Sequence, residues 1–419
     1  MEALPMQDEP LQVGVLGTQF VVGWGQALSE RQRTAMRTAW KRCAGQPGTL
    51  PAAPPLLPTE TLPFSAVVAY RTKDRKPVEF HLQSDTFEAL SEQLTSQLTL
   101  FAIMDHAGEF TMLHACGLAD PRTGAVVALV AKSGTGKTTA ASALSSRYAY
   151  VTDETVAIRS DGSVVAYPKP LSVKQTIRGA PKLQVGPDEL GLLAAPSDLS
   201  IQSIVLLDRV AAGRGPVSPV LQQVPLADAV LALIPESSSQ GKIEQPLQAL
   251  CRLIDRVGGV WKVSYSEAED LAKSLAPLFE PASSPGGFSD ADGNGPAKWT
   301  APTLAGEECA LPDGRIRRAA ALDAVAIDGD LLVLLESGIV RLSGIAPTIW
   351  SAAARSCSMD ELSERTGDRH GRPKGYRALV EEAVDQLIFR SILECGPQPV
   401  PVLRGGPLGH AAGRGTRHV

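Results

Sequence analysis

The chain has 419 residues, 44% hydrophobic and 20% charged, with a formal net charge of −5, and this length leaves room for two or three domains. The slight acidity and 5% aromatic content exclude the basic, aromatic-interleaved surface of a nucleic-acid binder. No apolar run reaches membrane-span length, and the first ten residues lack the basic and apolar regions of a secretory signal, so the expectation is a cytoplasmic protein without membrane contact. The six cysteines, at 43, 116, 251, 309, 357 and 395, form no Cys-x-x-Cys pair; reduced thiols are expected, not a zinc site or a disulfide framework.

In chain order, residues 1–105 read as a small α+β region. Residues 13–22 are β-rich, and a helical pattern follows over 29–43. Residues 44–62 are a proline-rich loop. Strands are expected at 64–71 and 78–82, then a helix opened by Asp85-Thr-Phe-Glu and running to about Met104. Residues 106–280 form the nucleotide-binding core. A strand over 110–116 pairs with one over 125–131 across the turn Asp120-Pro-Arg-Thr-Gly124. The second strand is an unbroken apolar run, as expected of a central parallel strand covered on both faces.

That strand leads into Lys132-Ser133-Gly134-Thr135-Gly136-Lys137-Thr138-Thr139 and an alanine-rich helix, the setting of a phosphate-binding loop. Gly134 and Gly136 let backbone N–H groups face an anion, and the helix start adds its positive dipole end. Lys137 can reach the β- and γ-phosphates, and the Thr138 hydroxyl can ligate Mg²⁺. Ser133, Thr135 and Thr139 complete the candidate nucleotide-binding set. One position departs from the full pattern, which opens on Gly where this chain has Ala131.

Within residues 148–158 a strand ends in the adjacent carboxylates Asp153 and Glu154, placed to meet Mg²⁺ or to polarise an attacking hydroxyl. Adjacent residues on a strand face opposite ways, so one acid is expected at the metal and the other at the core or in the base role. On spacing alone His114 reads as a packed core residue. Lys169, Lys174 and Arg178 follow a strand at 163–167; each could approach a phosphate, though individually each reads as a solvated charge. A strand at 200–207, helices at 226–233 and 246–257, a strand at 260–264 and a helix at 266–279 complete the core. Residues 281–300 form a linker in which Asp290, Asp292, Asn294 and Gly295 mimic the start of a calcium loop, but Ala301 stands where the bidentate Glu belongs. Residues 301–395 form a smaller domain, with strands over 323–342 and helices over 345–354, 358–366 and 376–393. Residues 396–419, rich in Gly, Pro and Arg, read as a disordered tail.

Leu113-His114-Ala115, the loop from Ala131 to Thr139, Val151-Thr-Asp153-Glu154-Thr-Val156 and Tyr167-Pro168-Lys169-Pro170 together resemble the catalytic core of the HPr kinase/phosphorylase-like superfamily, related in fold to phosphoenolpyruvate carboxykinase. The similarity covers residues 105–180. It implies an α/β (α+β) P-loop kinase core that uses ATP and Mg²⁺. His114, Asp153 and Glu154 are then catalytic, and Thr138, Asp153 and Glu154 lie at the metal. The family pair is commonly Asp-Asp, so Glu154 is one methylene longer and leaves open which acid is the base.

Residues 320–394, from Leu331 through Gly338-Ile-Val-Arg-Leu342, Ile345-Ala-Pro-Thr-Ile-Trp350 and Met359-Asp-Glu-Leu362 to the last helix, resemble the coenzyme PQQ synthesis protein D (PqqD) family. That likeness implies a small winged-helix-like C-terminal domain that binds a ribosomal peptide leader as an added strand, with Trp350 in its core. The function implied is a kinase transferring the γ-phosphoryl group to a serine-type hydroxyl of a peptide or protein. An ATP-switched peptide-binding chaperone and a small-molecule kinase are the alternatives, and homo-oligomerisation stays open.

Overall fold

The computed structural model describes residues 9–45, 62–132, 137–176, 179–210, 218–280, 299–304 and 310–397. Residues 133–136 of the candidate phosphate loop, Arg178, Cys309, most of the proline-rich loop, nearly all of the linker with its calcium-like sequence, and the tail beyond 397 lie outside the described residues. Two compact units divide the chain. The first takes residues up to 302 with 322–328 and 332–341, and the second takes 303–321, 329–331 and the chain from 342.

The first unit opens with an antiparallel meander of β1 (Leu11–Val15), β2 (Thr18–Trp24), β3 (Phe64–Arg71) and β4 (Pro77–Ser84). Helix α1 (Glu30–Ala39) starts at a capping box, where Ser29 and Gln32 each accept the other's backbone N–H. Helix α2 (Phe87–Asp105) is capped by Thr86 and brings Leu90, Leu94, Leu98 and Ala102, four residues apart, into the core shared with the meander.

Then come β5 (Thr111–Leu113), β6 (Ala115–Ala119), β7 (Ala125–Val130), α3 (Lys137–Leu144), β8 (Ala149–Thr152), β9 (Val156–Ile158), β10 (Val164–Val165), β11 (Leu171–Val173) and β12 (Leu183–Val185). They are followed by β13 (Ser200–Arg209), β14 (Val220–Val224), α4 (Leu226–Leu233), β15 (Ser237–Ser238), α5 (Pro246–Arg256), β16 (Val260–Tyr265) and α6 (Leu271–Leu275). Six strands form the main sheet in the order β14-β16-β13-β7-β6-β8. The sheet is mixed. Strand β7 is parallel to β13, as expected of a central parallel strand, and antiparallel to β6, its expected partner across the 120–124 turn. The reason is the turn between them, too short for anything but a hairpin. Gly124 closes that turn at φ +74°, and a Cβ there would lie 1.9 Å from the Asp198 carbonyl oxygen.

Every residue of β7 is buried. Val126, Ala128 and Val130 join the cluster of Val230 in α4 and Leu247, Leu250 and Ile254 in α5. Val127 and Leu129 join Ala140, Ala141 and Leu144 of α3 and Leu271 and Leu275 of α6. The strand's period of two thus serves two helical layers, which is why it reads as continuous apolar sequence.

A second sheet runs β10-β9-β5-β15. The strand expected over 110–116 is broken at His114, with β5 in this sheet and β6 in the main one. The strand expected to end at Asp153 and Glu154 does so: β8 lies in the main sheet, and past the break at 153–155 the chain continues as β9 in the second. The two breaks face each other. Leu113 pairs with Val156, Gly117 pairs with Thr152, and Ala115 N–H donates to the Glu154 carbonyl at 3.1 Å. Paired strands leaving one sheet for another must turn at the same level, and this brings three candidate site residues to one seam.

The strands Asp323–Ile327 and Asp330–Leu335 pair in a small sheet, and residues 322–328 and 332–341 group with the first unit, whereas the sequence places them in a 301–395 domain. Asp323 is the physical cause. Its fully buried carboxylate accepts Leu247 N–H at 2.8 Å, Gln248 N–H at 3.0 Å and Gln248 Nε2 at 2.9 Å. It thereby caps α5, whose own N-cap residue Gln245 is left-handed and makes no side-chain cap. Asp323→Ala leaves these donors unpaired and is expected to cost about 3 kcal/mol in urea unfolding. A cost inside experimental error would show that the cap contributes nothing.

The second unit contains the helices Ala346–Ala352, Met359–His370 and Tyr376–Phe389 and the antiparallel pair Ile316–Arg318 with Leu393–Cys395. The last helix stops short of the expected 393, because Ser391 turns left-handed at φ +56° and the chain enters that strand. Trp350 is fully buried, with the Arg318 guanidinium 4.4 Å from its ring centroid. Among the described residues no helix is long and apolar enough to cross a membrane. The five described cysteines are free thiols, four of them buried.

Candidate active site at the sheet seam

Helix α3 begins at Lys137, directly after the candidate phosphate loop. The Lys137 side chain is 8% exposed and folds back so that Nζ donates to the Ala131 carbonyl at the end of β7. Burial pulls its pKa below the ordinary lysine range, opposed by the negative charges of Glu236, Glu154 and Asp153. The Thr139 side chain is exposed one residue beyond Thr138.

Asp153 and Glu154 occupy the bend between β8 and β9. They do not face opposite ways, as strand geometry predicts. Both carboxylates reach one ammonium. Lys169 Nζ lies 2.9 Å from Asp153 Oδ1 and 3.2 Å from Glu154 Oε2, and it donates to the Pro170 carbonyl at 3.2 Å. Far from being a solvated charge, Lys169 is 2% exposed, and the two acids hold its pKa above the ordinary range against the opposing effect of burial. Lys174, by contrast, is exposed.

The two acids are held unequally. The Asp153 side chain is 5% exposed, and the Tyr150 hydroxyl lies 3.1 Å from its Oδ1. That hydroxyl is also 3.2 Å from the Lys169 carbonyl. The Glu154 side chain is 34% exposed and meets Lys169 alone among these groups. The segment carrying Lys169 is anchored by Tyr167, fully buried in the core of the N-terminal layer, whose hydroxyl lies 2.6 Å from Thr99 Oγ1 of α2. Residues 1–105, silent in the sequence, therefore hold the wall behind the acids.

His114 sits at the opposite break, its backbone N–H donating to the Glu236 carbonyl at 2.6 Å. Burial, and secondarily the charge of Lys137, hold its pKa below the ordinary imidazole range, so the ring is neutral at pH 7. In the unfolded chain the ring takes up its proton near pH of about 6.5. Below that value the unfolded state binds more protons, so this stabilisation is complete above the unfolded pKa and is lost as pH falls through the lower folded one. His114→Gln is therefore expected to flatten the acid side of the stability curve. Urea midpoints from pH 8 to 5 check this, and curves of identical shape would contradict it.

Glu236 is the site residue that sequence missed. It follows Pro235 in a short 3-10 turn before β15, and no motif marks it. Its charge bears on both Lys137 and His114.

Among the described residues no group of three or more His, Cys, Asp or Glu could hold a metal ion. The fit to Mg²⁺ rests instead on two carboxylates whose oxygens already converge on a cation of the protein's own, the hard anionic oxygens that this ion takes together with substrate phosphates. The fit to a nucleotide rests on a lysine buried at the first turn of a helix beside them.

No protein-family model matches the chain, and no curated protein matches it. Among solved structures, the HPr(Ser) kinase/phosphatase from Coxiella burnetii aligns with 40% of this chain and 92% of its own, at 12% sequence identity and a TM-score of 0.20.

Proposed function

We propose that this chain is a P-loop kinase that moves the γ-phosphoryl group of ATP to a serine-type hydroxyl of a peptide or protein. The observation that carries the proposal is the meeting, at one seam between two sheets, of an acid pair and a neutral histidine within the electrostatic reach of the helix-start lysine. Lys137 and the loop amides would hold the nucleotide phosphates, and Thr138 with Asp153 would hold Mg²⁺. Bound Mg-ATP supplies the phosphoryl group and neutralises its own oxygens. The unequal anchoring of the acids supports separate roles. Asp153, held by Lys169 and Tyr150, suits a fixed ligand, whereas Glu154, the more exposed acid, suits the base. Glu154 would take the acceptor's hydroxyl proton while that oxygen bonds to phosphorus and the bond to the β-phosphate bridge breaks. Residues of the 301–395 region would recognise the peptide, as their likeness to the PqqD family implies.

The test is label transfer from γ-labelled Mg-ATP into the peptide and protein fractions of a host lysate, with Lys137→Ala as control. A labelled species formed only with the wild type is the expected result. Saturable ATP binding with no label would replace the kinase by an ATP-switched peptide binder.

A further inference from the structure

Lys169 is a fully buried cation with three acceptors: Asp153 Oδ1, Glu154 Oε2 and the Pro170 carbonyl. These match the three donors of an ammonium. Its backbone is fixed on both sides. Tyr167 is tied to α2 through Thr99, and the Lys169 carbonyl lies against the Tyr150 hydroxyl. The ammonium therefore stays between the acids. A divalent ion has to share the carboxylates with a permanent positive neighbour, and it loses part of their attraction.

We propose that Lys169 is a positioning residue, a built-in counter-ion that keeps Asp153 and Glu154 convergent and makes their affinity for a bare divalent cation low, so that the metal enters with the nucleotide's own negative charge. The proposal rests on the kinase reading for its purpose, but its physical content is separable. Asp153 keeps two anchors, Lys169 and Tyr150, so its carboxylate stays placed for an incoming ion while Glu154 is the acid left to meet the acceptor.

Mn²⁺ is titrated into the full chain without nucleotide, with free ion read by electron paramagnetic resonance and stability read by thermal melting. Lys169→Met removes the charge, Lys169→Gln removes it but keeps a donor for Asp153, and Lys169→Arg retains it. Both neutral variants are expected to bind Mn²⁺ at least tenfold more tightly than the wild type and to melt lower without the ion, recovering when it is added. The Arg variant keeps the weak binding. A folded neutral variant that binds Mn²⁺ no more tightly than the wild type overturns the proposal. So does a neutral variant that does not fold and is not rescued by Mn²⁺, because an ion in the same place should replace the lost charge. If the Mn²⁺ difference holds while the wild type transfers no label, the kinase reading fails and the role of Lys169 stands.

Discussion

Lys137→Ala is expected to lower label transfer from γ-labelled Mg-ATP by about a thousandfold, the scale at which an electrostatic stabiliser of developing charge acts in a water-poor site. The variant should remain folded. Lys137 is 8% exposed, its burial lowers its pKa, and so the folded protein already disfavours its charge. Removing it relieves that burden, which offsets the loss of the three methylenes beyond Cβ. Melting temperature should therefore stay level or rise slightly while transfer collapses. Transfer that persists at wild-type rate in a folded Lys137→Ala protein would sink the kinase proposal.

Asp153→Ala is expected to cost about 3–5 kcal/mol of stability, the usual penalty for removing one partner of a buried ion pair. The pair qualifies, since both side chains are at most 5% exposed and lie 2.9 Å apart. The Tyr150 hydroxyl would lose a partner as well. Glu154→Ala makes the contrast. Its side chain is 34% exposed, and screening limits the pair to about 1 kcal/mol or less. Both variants should lose transfer, but only the first should lose its fold under mild denaturant. Equal unfolding midpoints would mean that the two acids share Lys169 evenly and that their proposed division of labour is wrong.

The elements around the candidate loop were legible in sequence because local signals agreed there. An all-apolar strand, a glycine turn and an alanine-rich helix each specify their own conformation, and β7 and α3 follow. The helical patterns over 29–43 and 246–257 likewise gave helices, at Glu30–Ala39 and Pro246–Arg256. The end of β8 at the acid pair was legible, but the break at His114 and the change of sheet at both places were not, because both sheets bury apolar residues and a change of sheet leaves the alternation untouched. The fate of Lys169 was not legible either. Nothing in Tyr-Pro-Lys-Pro shows that carboxylates 15 and 16 residues upstream will surround the ammonium. Glu236 lies 122 positions beyond His114, and only the folded chain joins them.

The cap that Asp323 places on α5 also sets a trap for deletion experiments. Cutting the chain at residue 300, where composition invites a cut, would uncap that helix. It would also strip Val325, Ile327, Leu332 and Leu334 from the cluster that covers one face of the main sheet. The shortened protein would lose activity through a damaged core, and the loss would look like evidence that the removed part recruits the acceptor. A truncation that can separate recruitment from folding has to end beyond Arg341, the last residue grouped with the first unit.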